Sequence, residues 1–302
     1  MNKLTQLIKS SLKNHMLRYN IGATIISKLG YADVNLAGQN AKYRAFNKLR
    51  KKYSKLIGKT SFKSYKNDEE EKVWICWLQG IENAPEPVKS CYASMRYHLK
   101  DKNIVDINSR NVKEYITLPD YIYDKWERGI IPNAQFSDIV RLQLLIEHGG
   151  LWLDATVYLT DGLPDYITDG DFFVFHDGFF NCDVVNMGNW LIYSKANNIL
   201  LQETQNLLLT YWKENNYLQH YFIKQLFFRM VTDYYSEEWE KVPYYNQMDQ
   251  HIFSMEINQE FNEKRFNQIK SITSIHKLSY KIDETTLENN SYFSKLSELY
   301  LK

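Results

Sequence analysis

Phe136-Ser137-Asp138-Ile139-Val140-Arg141-Leu142-Gln143-Leu144-Leu145-Ile146-Glu147-His148-Gly149-Gly150-Leu151-Trp152-Leu153-Asp154-Ala155-Thr156-Val157 is the stretch on which the fold turns. Ser137 suits the cap of a helix whose first turn holds Asp138, where the positive end of the helix favours a carboxylate. Ile139, Val140, Leu142, Leu144, Leu145 and Ile146 supply the buried face of that helix. Gly149-Gly150 ends it, because a left-handed C-terminal position suits glycine. Leu151-Trp152-Leu153 then reads as a short buried strand that delivers Asp154 at its carboxyl end. Ligands of open α/β sheets bind just outside the carboxyl ends of strands, so function explains a carboxylate there better than packing does.

Working outward, Val73-Trp74-Ile75-Cys76-Trp77-Leu78 is an unbroken apolar run that meets Gln79-Gly80. A short run without alternation, ended by glycine, predicts a strand buried on both faces. Pro85 and Pro87 open a helical stretch through Cys91, Met95 and Leu99, and Ile104-Val105-Asp106-Ile107 reads as a second strand. The start is β-α-β. The fold class that follows is α/β, Rossmann-like, with a mostly parallel sheet flanked by helices. Phe172-Phe173-Val174-Phe175 is a further strand candidate, and residues 197–213 and 217–235 look helical. Ser271 to Tyr280 carries the polar pair His276-Lys277 between Ile275 and Leu278.

The chain has 302 residues, 44% apolar and 24% charged, which excludes collagen-like sequence and wholesale disorder. Three cysteines, Cys76, Cys91 and Cys182, with no CxxC spacing, argue against a disulfide scaffold or structural zinc and fit a reducing compartment. No apolar run reaches the roughly 18–20 residues of a membrane span. Leu4, Leu7 and Ile8 are soon interrupted by Lys9, Lys13 and Arg18, so no secretory h-region forms and the chain is expected to be soluble and cytoplasmic.

A net charge of +1 conceals a strong asymmetry. Residues 1–66 hold 15 Lys and Arg against Asp33 alone, while the other 236 residues hold 22 bases against 35 acids. The change falls just before Asp68-Glu69-Glu70-Glu71, which divides the chain into a basic helical N-terminal arm, 1–66, and a main domain, 67–302. Leu4, Leu7, Ile8, Leu12, Met16 and Tyr19 recur at helical spacing in the arm. Tyr43, Phe46, Leu49 and Tyr53 lie among Lys42, Arg44, Lys48, Arg50, Lys51, Lys52 and Lys55. Two readings stay open: a basic amphipathic surface for anionic lipid, or a helical hairpin that docks its apolar stripe on the acidic domain. Nucleic acid is not expected as a partner.

GxxxxGK, GxGxxG, HExxH and GxSxG motifs are all absent. What remains is Asp138 and Arg141 on one helix face, Gly149-Gly150, and Asp154 two residues before Thr156. Alone, Asp138 and Arg141 read as an i,i+3 surface ion pair. Combined with a strand-end Asp154, they read as a site.

This helix-Gly-Gly-strand-Asp arrangement resembles the sugar-binding region of DXD-type glycosyltransferases with a GT-A fold. It is most similar to the bacterial capsular polysaccharide synthesis glycosyltransferases, relatives of the yeast outer-chain mannosyltransferases and the clostridial glucosylating toxins. Ser137, Asp138, Arg141, Gly149, Gly150, Trp152 and Asp154 match the pattern, as do Trp74 to Gly80 and Ala84-Pro85. Ser274-Ile275-His276-Lys277 matches its C-terminal motif. The resemblance spans roughly residues 70–280 and does not include the arm.

The resemblance implies a nucleoside diphosphate sugar, a UDP-sugar first, and Mn²⁺ or Mg²⁺ held by oxygen ligands. Asp138, Arg141 and Asp154 become the catalytic group. Trp77, Gln79, Asn189 and Lys277 join them at the donor, Trp77 stacking on the nucleobase unless it is a core tryptophan. Asp154 and Thr156 take the metal positions, and Thr156 replaces the second acid of the motif. His276 is the compensating ligand, its alternative being an ordinary partly buried histidine. Asn189-Trp190 resembles a segment at the donor–acceptor boundary; a turn with a buried Trp190 is the other reading.

The function expected is metal-dependent, retaining transfer of one sugar to a lipid-linked capsule or exopolysaccharide precursor, peripheral to the inner face of the cell membrane. Two rivals remain. A nucleotidyl- or phosphotransferase should show a phosphate loop after the first strand, where Gln79-Gly80-Ile81-Glu82 stands. A non-catalytic carbohydrate-binding protein leaves Asp138, Arg141 and Asp154 without a purpose.

Overall fold

A computed structural model of the chain describes Leu12 and residues 34–66, 68, 70–177, 184–282 and 290–300. Its elements are α1 (Val34–Tyr53), β1 (Lys72–Cys76), α2 (Glu86–His98), β2 (Asn103–Ile107), α3 (Asp120–Glu127), α4 (Asn133–Glu147), β3 (Gly150–Asp154) and β4 (Val157–Leu159). They continue with β5 (Phe172–His176), β6 (Met187–Ser194), α5 (Ile199–Glu214), α6 (Ile223–Tyr234), α7 (Glu263–Ile272), β7 (Ile275–Lys277) and α8 (Tyr292–Tyr300). Shorter helical turns lie between them.

Five strands form one sheet in the order β2-β1-β3-β6-β5, and β4 pairs with β7 in a separate ribbon. Strands β2, β1 and β3 run parallel, whereas β6 is antiparallel to both β3 and β5. The sheet is therefore mostly parallel in direction, as expected, but not purely so: β6 alone runs against the other four strands. Only ten residues, 177–186, join β5 to β6. That is too few for the crossover of a dozen or more residues that a parallel pair requires.

Strand alternation divides the interior into two layers. Val73, Ile75, Leu151, Leu153, Phe173 and Tyr193 face α2, α7, α8 and the β4–β7 ribbon. Trp74, Cys76, Trp152, Val174 and Ile192 face α1, α4, α5 and α6. Helix α4 begins at Asn133, behind the extended Pro132, five residues earlier than a Ser137 cap would place it. The Pro132 carbonyl accepts from the amides of Gln135 and Phe136, each at 2.9 Å, so Ser137 and Asp138 lie in the second turn. Gly149 (φ 71°) and Gly150 (φ 96°) make the turn into β3. A Cβ on Gly150 would lie 2.4 Å from the Lys72 carbonyl oxygen of neighbouring β1.

Residues 34–66 are built into the body. Ala45, Phe46, Leu49, Tyr53 and Ile57 are buried in the α4–α6 layer. The Tyr53 ring meets Phe227 edge-on at 5.4 Å, and its hydroxyl bonds Glu214 Oε2 at 3.0 Å. Beyond α1, the Gly58 amide donates to Glu203 Oε1 and Asn197 clasps both backbone polar groups of Tyr65, all at 2.7 Å. The charge boundary at residue 66 is thus not a packing boundary. Of the stripe Leu4, Leu7, Ile8, Leu12, Met16 and Tyr19, only Leu12 falls within the described residues, and it is exposed. No helix among the described residues is long and apolar enough to cross a membrane.

Candidate active site

Helix α4 and strand β3 bring Asp138, Arg141 and Asp154 together. Asp138 and Arg141 are 6% and 5% exposed, which removes the surface-pair reading. The Arg141 guanidinium spans the two acids, with Nη2 3.0 Å from Asp154 Oδ1 and Nη1 3.6 Å from Asp138 Oδ1. It also lies over the Trp152 ring, 4.6 Å from its centroid, and donates to the Asn189 carbonyl. Trp152 and Asp154 are two apart on β3 and share a face. The indole Nε1 accordingly donates to Asp154 Oδ1 at 3.0 Å. Buried ions need such partners, because desolvation otherwise outweighs their attraction.

From α6 comes Lys224, 1% exposed, with Nζ 3.4 Å from Asp138 Oδ1 but no aligned hydrogen bond. Burial pulls this ammonium down to about 7, against the upward pull of Asp138. The sequence reading missed it. Its signal was Lys224, Phe227, Phe228 and Val231 recurring at helical spacing, which sets a lysine on an apolar stripe.

The β4–β7 ribbon closes the other side, with Val157 opposite Lys277 and Tyr158 opposite His276. Because successive side chains of a strand point to opposite faces, Lys277 and His276 diverge. Lys277 Nζ donates to Thr156 Oγ1 at 2.5 Å and to the Leu278 carbonyl at 3.0 Å, and lies 3.9 Å from Asp154 Oδ2. His276 is 0% exposed and faces the other way. Its Nε2 meets Thr160 Oγ1 at 3.0 Å, its ring packs 4.4 Å from Phe253, and burial holds the imidazole down at about 3. It does not join Asp154 and Thr156, so the sequence-based expectation of a compensating histidine ligand has no geometric support.

The donor set at Asp154 does not fit Mn²⁺ or Mg²⁺, because even a cation that keeps waters and takes substrate phosphates needs one or two carboxylates free of other cations, and Asp154 is held between Arg141 and Lys277. Oδ1 of Asp154 already accepts from Arg141 and Trp152, and Thr156 Oγ1 accepts from Lys277. Of the Asp154 oxygens only Oδ2 keeps free capacity, and it faces an ammonium; the Thr156 hydroxyl retains one lone pair, a neutral ligand beside the same ammonium. No cluster of three or more His, Cys, Asp or Glu suited to a metal occurs among the described residues.

Asn189, on β6, adds an Nδ2 contact to Asp138 Oδ1 at 3.4 Å, while Trp190 stacks on Phe175 in the core. Trp77 lies half-buried just past β1, edge-on to exposed Tyr280 at 5.6 Å, and its Nε1 is sealed without a partner among the described residues. Gln79 is exposed in the turn that follows. Neither is brought into contact with Asp138, Arg141 or Asp154. Cys76 faces the cluster, but burial pushes its thiol up to about 12, which leaves it inert. Tyr221 and Tyr280 are the exposed aromatics of the rim. The Tyr221 phenol is raised by desolvation, then by Asp138, Tyr280 and Asp154. Neither tyrosine stood out in the sequence.

A family model described as capsular polysaccharide synthesis protein matches residues 29–296. No curated protein matches significantly. Among solved structures, the chain is similar to a PaToxG glycosyltransferase at 15% identity and TM-score 0.38, over 66% of this chain and 83% of that one. It is similar also to a transferase mutant with two cysteines changed to serine, at 15% identity and TM-score 0.36, over 59% and 91%. With most of its length matched, the chain belongs to the capsular polysaccharide synthesis protein family.

Proposed function

We propose that this protein is a GT-A-type glycosyltransferase. It would move one sugar from a nucleoside diphosphate sugar to a capsule repeat-unit precursor. The observation that carries the reading is the network of buried Asp138 and Arg141 with half-buried Asp154 at the carboxyl end of β3, inside an α/β sheet. Family membership supports it.

In such a transfer the bond from the sugar's anomeric carbon to the diphosphate breaks, and an acceptor hydroxyl forms the new one. Negative charge grows on the departing diphosphate. Fixed cations aimed at that charge stabilise the transition state more than the ground state. Arg141 and Lys277 are the candidates. Asp138 and Asp154 keep lone pairs that can accept from donor hydroxyls and orient the ring. Both carboxylates are tied to one guanidinium, which supports orientation rather than covalent attack. The reading is therefore retaining transfer with attack on the face the diphosphate leaves, the diphosphate taking the acceptor's proton. Trp77 and Tyr280 offer aromatic faces for a base, a UDP-sugar being the first to try.

The acceptor we propose is a saccharide on a lipid carrier at the inner face of the cell membrane. Support comes from the exposed bases Arg50, Lys51, Lys55 and Lys59 on and after α1.

Asp154→Asn keeps shape and removes charge. Donor hydrolysis and transfer are expected to fall about 100-fold or more, as for loss of a central electrostatic group, with an unchanged circular dichroism spectrum. Wild-type turnover in a folded D154N protein would sink the proposal.

A further inference from the structure

We infer that the Lys277 ammonium occupies the role of a divalent cation at the donor diphosphate, so that this chain binds its donor without metal. The inference rests on the glycosyltransferase reading and departs from the metal dependence that the family resemblance implies.

Three observations converge on Lys277. The first is register: pairing with β4 turns Lys277, not His276, toward Asp154. The second is the neutral residue at 156. A carboxylate at that position would cancel the ammonium or draw a cation to itself, whereas Thr156 Oγ1 accepts from Lys277 and leaves its charge intact. The third is donor capacity. An ammonium has three N–H donors, and the Thr156 hydroxyl and Leu278 carbonyl engage two. The side chain is 19% exposed, so the remaining donor has access to an incoming phosphate oxygen.

Charge balance points the same way. Asp138 and Asp154 are matched by Arg141 and Lys277, with Lys224 adjoining Asp138. A divalent cation entering at Asp154 Oδ2 would stand beside an ammonium 3.9 Å from that oxygen. Like charges at that range repel strongly in a partly dry site. A diphosphate meets no such opposition, and Lys277 and Arg141 flank the Asp154 carboxylate to receive it.

The test is calorimetric titration of the full-length protein with UDP, GDP, ADP, CDP and TDP, in EDTA and in Mn²⁺. Wild-type protein is expected to bind one of them equally well in both. Lys277→Met should weaken that binding about tenfold or more, the size of a hydrogen bond to a charged group, and Lys277→Arg should restore most of it. Binding seen only in Mn²⁺, or unchanged in a folded K277M protein, overturns the inference while the transferase reading stands. Should K277M fail to fold, the wild-type comparison between EDTA and Mn²⁺ decides alone. Failure of every nucleoside diphosphate in both media overturns the transferase reading as well.

Discussion

Lys224 is a cation sealed against the paired acids, and pH exposes the cost. Its ordinary value of 10.5 falls to about 7 in the fold. Between those values the unfolded chain holds the proton more firmly, so the contribution of Lys224 to stability rises with pH across that window. Relative to Lys224→Met, the wild-type unfolding free energy should therefore increase from pH 7 to pH 9, by on the order of 1–2 kcal/mol, read from urea melts at both. A constant difference would place no buried titrating lysine there. His276 has the same sign at lower pH: its ordinary 6.5 is held at about 3 by burial. The stability of keeping it neutral is complete above about 6.5 and is lost as pH falls toward 3. A His276→Asn variant should flatten that acid limb. Asp138, Arg141 and Asp154 were legible in the sequence because their spacing alone implies one helix face and one strand end. Lys224 and Tyr221 were not, since only the tertiary placement of α6 and of the turn before it brings them near Asp138.

The passage from α4 into β3 carries the sharpest backbone constraint. Gly149 and Gly150 were read as a helix stop, and Gly149 does turn the chain. Gly150 does something more, because its position beside β1 leaves no room for a side chain. Gly150→Ala must therefore part β1 from β3 as well as adopt a left-handed backbone that costs roughly 1–2 kcal/mol by itself. We expect a loss of more than about 3 kcal/mol once the ladder is disturbed, measured as a lower urea midpoint; a change under 1 kcal/mol would contradict the close approach. The helix itself was visible, but its start was not, because Pro132 is a stronger boundary than a serine five residues on. Strand β6 was missed for a related reason. Met187-Gly188-Asn189-Trp190 lacks strand patterning, and its pairing between β3 and β5 sustains it. The ribbon settled what sequence left open at residues 276 and 277, since alternation assigns one side chain to the site and the other to the core.

At the scale of the whole chain, the two readings of the basic arm are not exclusive. Its apolar residues from Ala45 to Ile57 dock, while Arg50, Lys51 and Lys55 face solvent. Deleting residues 1–66 removes Phe46, Leu49, Tyr53 and Ile57 from the core, each contributing roughly 1.5–3 kcal/mol. Their sum rivals the total stability of an ordinary domain, so that truncation should lose its cooperative thermal transition. The double variant Lys51→Glu with Lys55→Glu leaves the core intact. It should lower co-sedimentation with anionic liposomes about tenfold or more, at roughly 1 kcal/mol per base. Equal sedimentation of both proteins would remove the lipid reading of this face. The charge asymmetry was plain in the sequence, but composition cannot tell a docked helix from a free one. The α1 stripe had to be seen against Phe227 and Glu214.

The ribbon also imposes an order in time. Strand β4 follows Asp154 at once, yet β7, its sole ladder partner among the described residues, is made about 120 residues later, a wait of about 6–25 s at ordinary rates of synthesis. During that interval Val157-Tyr158-Leu159 is an open apolar edge of the kind that invites pairing with other chains. A ribosome that stalls between the two strands holds a chain with four to six of its strands made, its pocket half-walled and its edge unguarded. Slow translation of residues 160–270 is thus a hazard to solubility before it is a loss of activity.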